Sequence, residues 1–405
     1  MKTIELAIFD ETLRDGEQQV GIFFDEQTKY DLASLISHTG VRGIALMPAI
    51  HPTEAQLVSN LVSRGLNKQI VASTMMGKKQ IDRSIECGVE TIILFHALSD
   101  RLLWLRDRKL RHLLPSFESC EETSTSSETK IIQQLRQQTI DKVLANLEYA
   151  ASKGLKVCFA AEDASRANFD FLVSCINKFQ PYLEQFLLCD TVGILTPETT
   201  KQWIKDLLAA TNNKTSLTVH FHNDRALALE NTIQAVLAGA KGVSGTFSGI
   251  GERAGNVALE QVLNGLKLRY GYEVVGIDYD AIAKVISYQK EHNITANQPY
   301  SPESLRCETG IHVDSLMRDR NSYYLFPQGK PEIWYGKFSG AANFQYLFEK
   351  ELNQPLSKQQ YQEFRDFIKQ LSIKQNRSFS EAEVVKILKQ HQLRDREIVC
   401  NSAIA

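Results

Sequence analysis

The sequence lacks any run of about 18 consecutive apolar residues, the length that indicates a membrane-spanning helix. It also has little net charge, because 46 lysines and arginines balance 48 acidic residues to leave −2. A chain with this balance has no basic face for nucleic acid or for anionic lipid. The first residues, Met1–Glu5, have a strand-like pattern and include the acidic Glu5, so we expect no signal peptide.

Paired cysteines are absent as well. The seven cysteines stand singly, with no CxxC pair and no spacing typical of a zinc ribbon. They are Cys87, Cys120, Cys158, Cys175, Cys189, Cys307 and Cys400. We therefore expect buried free thiols in a reducing compartment, which predicts a soluble, cytoplasmic protein.

The composition, 43% hydrophobic and 23% charged, is typical of a globular enzyme with about two or three domains. Eight β-rich runs alternate with amphipathic helical stretches before Tyr270. The predicted strands are Glu5–Asp10, Gly43–Met47, Ile70–Ser73, Thr91–Phe95, Lys156–Ala161, Phe186–Cys189, Ser216–His222 and Gly242–Thr246. This pattern predicts an α/β fold, a (β/α)8 TIM barrel. An open doubly wound sheet is the alternative, but no GxGxxG motif follows the first strand.

The pattern divides the chain into three parts. Residues 1–272 form the predicted catalytic barrel, with a long loop insertion at about 100–129. We expect helix in the basic first half of this insertion and mobility in its Ser/Thr-rich second half. Residues 273–336 are a loop-rich subdomain that we expect to cover the active site, and residues 337–405 are a small α-helical subdomain.

A polar motif, Asp10–Gln18, follows the first predicted strand and contains the adjacent pair Arg14 and Asp15. In a barrel, residues just beyond a strand face the active-site mouth. There a carboxylate can hold a cation, and a guanidinium can stabilise a developing oxyanion. The alternative for this segment alone is a surface turn with a local salt bridge.

Two histidines, His220 and His222, end the seventh predicted strand. Because side chains alternate along a strand, both point to the same side, and two inward imidazoles can converge on one divalent metal. The alternative is a pair of core histidines with satisfied hydrogen bonds.

Polar segments also follow the fifth, sixth and eighth strands, at Glu162–Arg166, Asp190–Gly193 and Gly249–Asn256. Any one of them suits a structural barrel rim. Polar clusters at five strand ends together predict a site at the barrel mouth.

A further group lies beyond the barrel, at Glu308–Asp314 with Arg318, Tyr323 and Tyr324. Its histidine, His312, has a carboxylate and a phenol nearby, which suits acid–base chemistry if the segment folds over a barrel mouth, its own or another subunit's. A histidine in a linker is the alternative.

These motifs together resemble one family. LRDGEQ, EDASR, DTVG, HFHND and GIGERAGN, in this order, are similar to motifs of the acetyl-CoA-dependent synthases of the DRE-TIM metallolyase superfamily. Those enzymes include homocitrate, 2-isopropylmalate and citramalate synthases. ETGIHVD and YGKFSG resemble the family's subdomains, so the similarity extends over nearly the whole chain.

The resemblance implies a divalent metal ion (Mg, Mn, Zn, Co or Fe) that binds a 2-oxo acid and polarises its ketone. The implied metal ligands are Asp15, His220 and His222, with Asn256 at or near the coordination shell. Arg14 would stabilise the alkoxide, and further implied substrate contacts are Gln18, Glu162 and Thr191.

For the second substrate, acetyl-CoA, the resemblance implies that His312, with Glu308 and Tyr323, deprotonates the methyl group. The enolate attacks the ketone, and thioester hydrolysis releases a 2-substituted malate and CoA. In the family the subdomain of one protomer covers its partner's barrel, which implies a homodimer. The chain ends too soon after its helical module for the separate regulatory domain of many 2-isopropylmalate synthases, so leucine inhibition through that domain is not expected.

The sequence departs from the family at three positions. Ala45 stands where a carboxylate is expected, Leu98 where a small hydroxyl residue is common, and Cys307 where a histidine often precedes the glutamate. Apolar residues at Ala45 and Leu98 suggest a pocket for a hydrophobic 2-oxo acid such as phenylpyruvate or a branched-chain one. The basic run Arg101–Arg111 favours the distal carboxylate of 2-oxoglutarate instead.

Three other functions compete with the synthase. A retro-Claisen acyl-CoA lyase shares the barrel, but lyases of that type lack the ETGIHVD segment. An Fe(II) oxygenase also uses two histidines and one carboxylate, although usually on β folds. A non-catalytic acyl-CoA sensor would not need Arg14, Glu162 and His312.

Overall fold

The eight predicted strands pair side by side in chain order and close into a parallel barrel, as the eighth pairs with the first. The structure is a computed structural model that describes residues 2–66, 69–113, 126–211, 216–324 and 329–390. The barrel strands are β1 (Ala7–Asp10), β2 (Gly43–Leu46), β3 (Ile70–Met75), β4 (Thr91–Ala97), β5 (Lys156–Glu162), β6 (Gln185–Asp190), β7 (Ser216–Phe221) and β8 (Gly242–Gly245). The predicted TIM barrel is confirmed.

Helices surround the barrel and continue beyond it. They are α1 (Glu26–Ser37), α2 (Pro52–Leu61), α3 (Lys78–Glu86), α4 (Asp100–Arg106), α5 (Ser126–Ser152), α6 (Phe169–Phe179), α7 (Pro197–Ala210), α8 (Ala228–Ala238), α9 (Leu259–Tyr270), α10 (Tyr279–Glu291), α11 (Gly310–Leu316), α12 (Ala341–Tyr346), α13 (Lys358–Gln375) and α14 (381–390). The local sequence determines where several helices begin. For example, Thr196 caps α7 by accepting the Thr199 N–H, and Pro197 occupies the first turn. None of the described helices is both long and apolar enough to cross a membrane.

Side chains inside the barrel form a small apolar cluster of their own, separate from the large core between strands and helices. Its buried members are Phe9, Val71, Ile93, Cys158 and Leu187, one from each of five strands. They fill the interior, so any cavity must lie above them, toward the carboxyl ends of the strands. The five cysteines within the described ranges are free and buried, as expected.

The insertion after β4 is only partly as expected. Its first half begins with α4 and a 3-10 turn at Arg111–Leu113, which confirms the predicted helix. Residues 126–129, assigned to the mobile half, instead begin α5, because the helical pattern extends further toward the N-terminus than predicted. Residues 116–125 of that half lie outside the described residues.

The region after the barrel begins beside the N-terminal strand and then reaches the barrel mouth, where α11 lies. Strand Tyr272–Val274 pairs with Lys2–Ile4, and α10 packs on α1. A two-residue strand pair, Arg306–Cys307 with Glu332–Ile333, flanks the segment that carries α11. The predicted domain bounds at 272 and 336 stay a prediction, and residues 391–405 of the last domain lie outside the described residues.

Four buried charges, the buried charge cluster, join this region to the barrel. Lys29 Nζ lies 2.7 Å from carboxylate oxygens of both Glu17 and Glu54. Lys337, from the C-terminal region, contacts the same two carboxylates, at 2.9 Å and 2.5 Å. Burial alone would raise the pKa of Glu54, but the two ammonium groups outweigh it and lower this pKa to about 2. The two carboxylates are therefore balanced by two ammonium groups only when the C-terminal region is docked.

We expect Lys337→Met to lower the free energy of unfolding by about 3–5 kcal/mol, because two buried carboxylates would share one ammonium group. Urea or thermal unfolding followed by circular dichroism measures the loss. Lys330→Met is the matched control: Lys330 pairs with Glu351 at 2.6 Å, but its side chain is 71% exposed. Its expected cost is below about 1 kcal/mol, and equal losses in both variants would contradict the assigned role of the cluster.

Candidate active site

A cavity of about 140 Å³ lies at the carboxyl ends of the strands, where the five predicted polar clusters meet. Residues on or just beyond every barrel strand, together with α11, form its wall. The predicted site residues in this wall are Arg14, Asp15, Gln18, Glu162, Thr191, His220, His222 and His312.

The predicted metal ligands converge on one point. Asp15 Oδ2 lies 3.9 Å from the Nε2 atoms of both His220 and His222, and the three ligand atoms lie within 4.8 Å of one another. All three side chains are buried. We call Asp15, His220 and His222 the metal-ligand group.

Hydrogen bonds behind His220 fix its orientation. Its Nδ1 lies 3.1 Å from Ser244 Oγ, which in turn lies 3.3 Å from Glu11 Oε1. A carboxylate only accepts, so the serine donates to Glu11 and accepts from Nδ1–H. Nε2 then keeps its lone pair for a metal, as is usual for ligating histidines.

Asn256 completes the surroundings of Asp15. Its Nδ2 donates to Asp15 Oδ1 at 2.8 Å, while its buried Oδ1 has no hydrogen-bond partner in the described residues. Gly251 permits this approach, because a Cβ there would lie 2.1 Å from Asn256 Nδ2. An acidic oxygen, two imidazoles and an orphaned amide oxygen fit a divalent cation.

The surroundings of Asp15 hold its carboxyl group in the ionised form. Burial would raise its pKa, but the Arg14 guanidinium, with the hydrogen bond from Asn256, outweighs this and holds the pKa well below its usual range. Arg14 Nη1 lies 2.9 Å from Asp15 Oδ2, and its Nε lies 2.7 Å from Glu11 Oε2. The predicted pairing of Arg14 with Asp15 is present, at the rim of the cavity.

His312, on α11, enters the cavity from above. Its Nδ1 lies 3.0 Å from Glu252 Oε1, and the Thr309 hydroxyl donates to the same oxygen. Gln18 Nε2 donates to Thr309 Oγ1 at 3.1 Å, which ties α11 to the segment after β1. We call His312 and Glu252 the acid–base pair.

Glu162 lies opposite, 4.0 Å from His312 Nε2. Arg106 of α4 binds it through two hydrogen bonds of 2.6 and 2.7 Å, and Tyr323 donates its hydroxyl to it. Burial would raise the pKa of Glu162, but the Arg106 guanidinium outweighs it and lowers this pKa to about 2. The Tyr323 ring stacks on His312 with centroids 3.9 Å apart, so it supports the imidazole.

Glu308, predicted in the acid–base group, is not brought into the cavity wall, and its catalytic role stays a prediction. Its carboxylate accepts the Phe338 N–H at 2.8 Å and the Ser378 hydroxyl, both in the C-terminal region. Burial raises the pKa of Glu308. The side chain is absent from the cavity wall because it is directed toward the C-terminal region and not toward the barrel.

Ala45 and Leu98 were predicted to line the substrate pocket, and neither is in the cavity wall. Ala45 is buried within β2, and the wall uses Met47, two residues further along the same face. Leu98 is part of the core between barrel and helices. On that side the wall is formed by Phe95, three residues earlier and therefore on the other face.

His312 lies over the barrel of its own chain. The segment after α11 is held there by Arg166, which donates to the carbonyl oxygens of Asn321 and Ser322 at 2.7 Å each. Within one chain His312 thus reaches the metal-ligand group. The homodimer and the exchange of subdomains between protomers both stay predictions.

A second cavity, of about 850 Å³, adjoins the first. The two share Gln18, Met47, Thr309 and Ile311 in their walls. Cationic side chains predominate in the second: Arg108, Arg111, Arg318, Lys358, Arg365 and Lys369, against Asp314 and Glu349. Burial, with the nearby charge of Arg365, lowers the pKa of Lys369 to about 8. An anionic ligand suits this cavity.

Three residues at the site, Glu11, Glu252 and Arg106, were not predicted from the sequence. Glu11 and Glu252 stand inside motifs that had been singled out, so their position next to Arg14 and near Asn256 was an available signal. Arg106 belongs to the basic run, but its partner Glu162 is 56 residues away along the chain. No local pattern could pair them.

Known proteins resemble this chain over most of its length. Residues 5–112 and 117–288 match the HMGL-like family. The homocitrate synthase AksA of Methanosarcina mazei is 32% identical, over 84% of this chain and 79% of that protein. The putative (R)-citramalate synthase CimA of Archaeoglobus fulgidus is 30% identical, over 92% and 73%. The 2-isopropylmalate synthase 2 of Caldanaerobacter subterraneus subsp. tengcongensis is 29% identical, over 93% and 94%.

Solved structures resemble the fold. The HMG-CoA lyase from Brucella melitensis has a TM-score of 0.54 at 18% identity, over 71% of this chain and 98% of that chain. The HMG-CoA lyase from Bacillus subtilis has a TM-score of 0.53 at 16% identity, over 75% and 98%. At these identities the likeness concerns the barrel fold alone.

Proposed function

The chain belongs to the HMGL-like family, and on that premise we propose that it is an acyltransferase that condenses acetyl-CoA with a 2-oxo acid. Water then hydrolyses the thioester, and the products are CoA and a 2-substituted malate of the homocitrate, isopropylmalate or benzylmalate type. The names of the homocitrate, citramalate and 2-isopropylmalate synthases support this reaction class. The observation that carries the proposal is that the metal-ligand group, Arg14 and the acid–base pair face one cavity.

The metal-ligand group and Arg14 serve the ketone of the 2-oxo acid. A divalent ion held by Asp15, His220 and His222 supplies Lewis acidity when it is bound. Arg14, beside Asp15 at the rim, stabilises the negative charge that develops on the ketone oxygen. Thr191 Oγ1 accepts the Asp163 N–H at 2.8 Å, so its own proton is available for the substrate carboxylate.

The acid–base pair serves the methyl group of acetyl-CoA. Because Nδ1 of His312 donates to Glu252, its Nε2 carries the lone pair and accepts the methyl proton. The imidazole becomes positive, and the ionised Glu162, 4.0 Å from Nε2, stabilises that charge. The resulting enolate carbon forms the new bond to the ketone carbon.

The second cavity suits the rest of CoA. CoA carries a pyrophosphate and a ribose phosphate, and the cationic wall of this cavity favours such groups. The two cavities meet at Gln18, Met47, Thr309 and Ile311, so a thioester arm can pass from one to the other. His312 stands one residue from this junction.

Release of free CoA thiol tests the proposal. The enzyme with Mg²⁺ or Mn²⁺ is given acetyl-CoA and, in turn, 2-oxoglutarate, 2-oxoisovalerate, pyruvate and phenylpyruvate. We expect thiol release that needs both a 2-oxo acid and the metal, with acetyl-CoA alone and chelator-treated enzyme as controls. If the metal-loaded enzyme releases no thiol with any of these four acids, the result would contradict the proposal. Cleavage of 3-hydroxy-3-methylglutaryl-CoA would favour the lyase, and metal-dependent O₂ uptake the oxygenase.

A further inference from the structure

We propose that the 2-oxo acid bound in this site has an uncharged, apolar side chain of about the size of a branched alkyl group and is not a dicarboxylic acid. This inference rests on the proposed function and adds the substrate class. It is carried by a wall that we call the apolar sleeve: Met47, Ile93, Phe95, Ala160 and Leu187.

The apolar sleeve lies below the chemical groups. Four of its members sit on the inward faces of β4, β5 and β6, and Ile93 and Leu187 also belong to the cluster that fills the barrel interior. Glu162 and His220 stand further along their strands, near the mouth. A 2-oxo acid with its carboxylate and ketone at the metal-ligand group therefore directs its side chain into the apolar sleeve.

The charges around the cavity disfavour a second carboxylate. Among the described wall residues Arg14 is the one arginine or lysine, and Glu11 and Asp15 bind it at 2.7 and 2.9 Å. Two more carboxylates, of Glu162 and Glu252, face the same cavity. A distal carboxylate would be buried beside these acids without a cation, which is strongly unfavourable.

The arginines after β4 do not supply that cation. Arg106 binds Glu162, and Arg101 binds Asp319. Arg108 and Arg111 line the second cavity and are absent from the wall of the first. The basic run therefore contacts Glu162 and the second cavity, and it is not placed to bind the distal carboxylate of 2-oxoglutarate.

The size of the cavity bounds the apolar group. Its volume is about 140 Å³. Dry cavities of about 150 Å³ lined by aliphatic and aromatic residues bind benzene. The same cavity also holds the carboxylate and ketone of the acid, so the apolar sleeve suits a branched alkyl group, which is smaller than benzene, and Ser73 and Cys189 are the small polar side chains beside it.

Two measurements on the metal-loaded enzyme test this. We expect kcat/KM for thiol release to be at least about 100-fold higher with 2-oxoisovalerate than with 2-oxoglutarate. Calorimetric titration of the same acids without acetyl-CoA should give the same order of affinity. A preference for 2-oxoglutarate in either measurement overturns the inference but leaves the condensation intact. If no acid releases thiol, the proposed function fails, and the order of binding still decides the substrate class.

A pair of variants tests the apolar sleeve itself. Ile93→Ala should enlarge it and raise the kcat/KM ratio of phenylpyruvate to 2-oxoisovalerate by about tenfold or more. Ile92→Ala is the matched control, since Ile92 is equally buried but faces the helices. It should leave the ratio within about twofold, because any loss of folded protein cancels in a ratio. Equal shifts in both variants, or none in Ile93→Ala, overturn the assignment.

Discussion

Replacing His220 by alanine is expected to remove the bound divalent metal and thiol release together. The three ligand atoms of the metal-ligand group lie within 4.8 Å of one another, so one loss leaves two ligands. Loss of an outer partner alone usually costs about 10–100-fold in metal affinity, and loss of a ligand should cost more. Metal content by inductively coupled plasma mass spectrometry, measured beside kcat, checks both effects.

His292→Ala is the matched control for this variant. His292 is exposed at the end of α10 and stacks on Tyr288, so its loss should leave metal content and turnover unchanged. Full metal occupancy with normal turnover in His220→Ala would exclude His220 from the site. A folding defect would appear as a changed circular dichroism spectrum, which separates it from loss of a ligand.

Replacing His312 by alanine is expected to leave metal content unchanged and to lower kcat by about 100-fold or more, the usual effect of losing a general acid–base group. The imidazole is the basic group that faces both Glu252 and Glu162, so its loss leaves the methyl proton without an acceptor. Single-turnover thiol release checks this.

Glu252→Gln refines that test. The amide keeps the size of the side chain and can still contact Nδ1, but it lacks the charge that stabilises the imidazolium. We expect a smaller loss of kcat than in His312→Ala and little change in KM for the 2-oxo acid. Normal turnover in His312→Ala would mean that the histidine serves only packing against Tyr323.

The barrel was predictable because the sequence patterns that indicate its strands and helices are local. Alternation along short strands and amphipathic helices between them set both the count and the order of the elements. The histidine pair followed from the same logic, since His220 and His222 share a strand face. The family resemblance, and not the strand pattern, joined Asp15 to them as a third ligand.

The positions that the sequence did not predict correctly depend on contacts between segments that are distant along the chain. Glu308 stands four residues before His312, yet the two side chains serve different regions because the chain turns into α11 between them. Arg106 meets Glu162 only after folding. For the pocket, an error of two or three residues at Ala45 and Leu98 was sufficient to choose side chains that the wall does not use.

The separate origin of the two halves of the site bears on how its specificity can evolve. In the proposed site most of the wall that selects the substrate consists of barrel-strand side chains, whereas His312 lies on a segment docked by Arg166, Gln18 and the buried charge cluster. Lys337 belongs to the buried charge cluster, and the Glu308 carboxylate accepts the N–H of the next residue, Phe338. Neither contact involves the apolar sleeve, so the position of the docked segment does not depend on it. Substitutions in the apolar sleeve can therefore change which 2-oxo acid the site prefers, while the position of His312 for proton transfer stays the same.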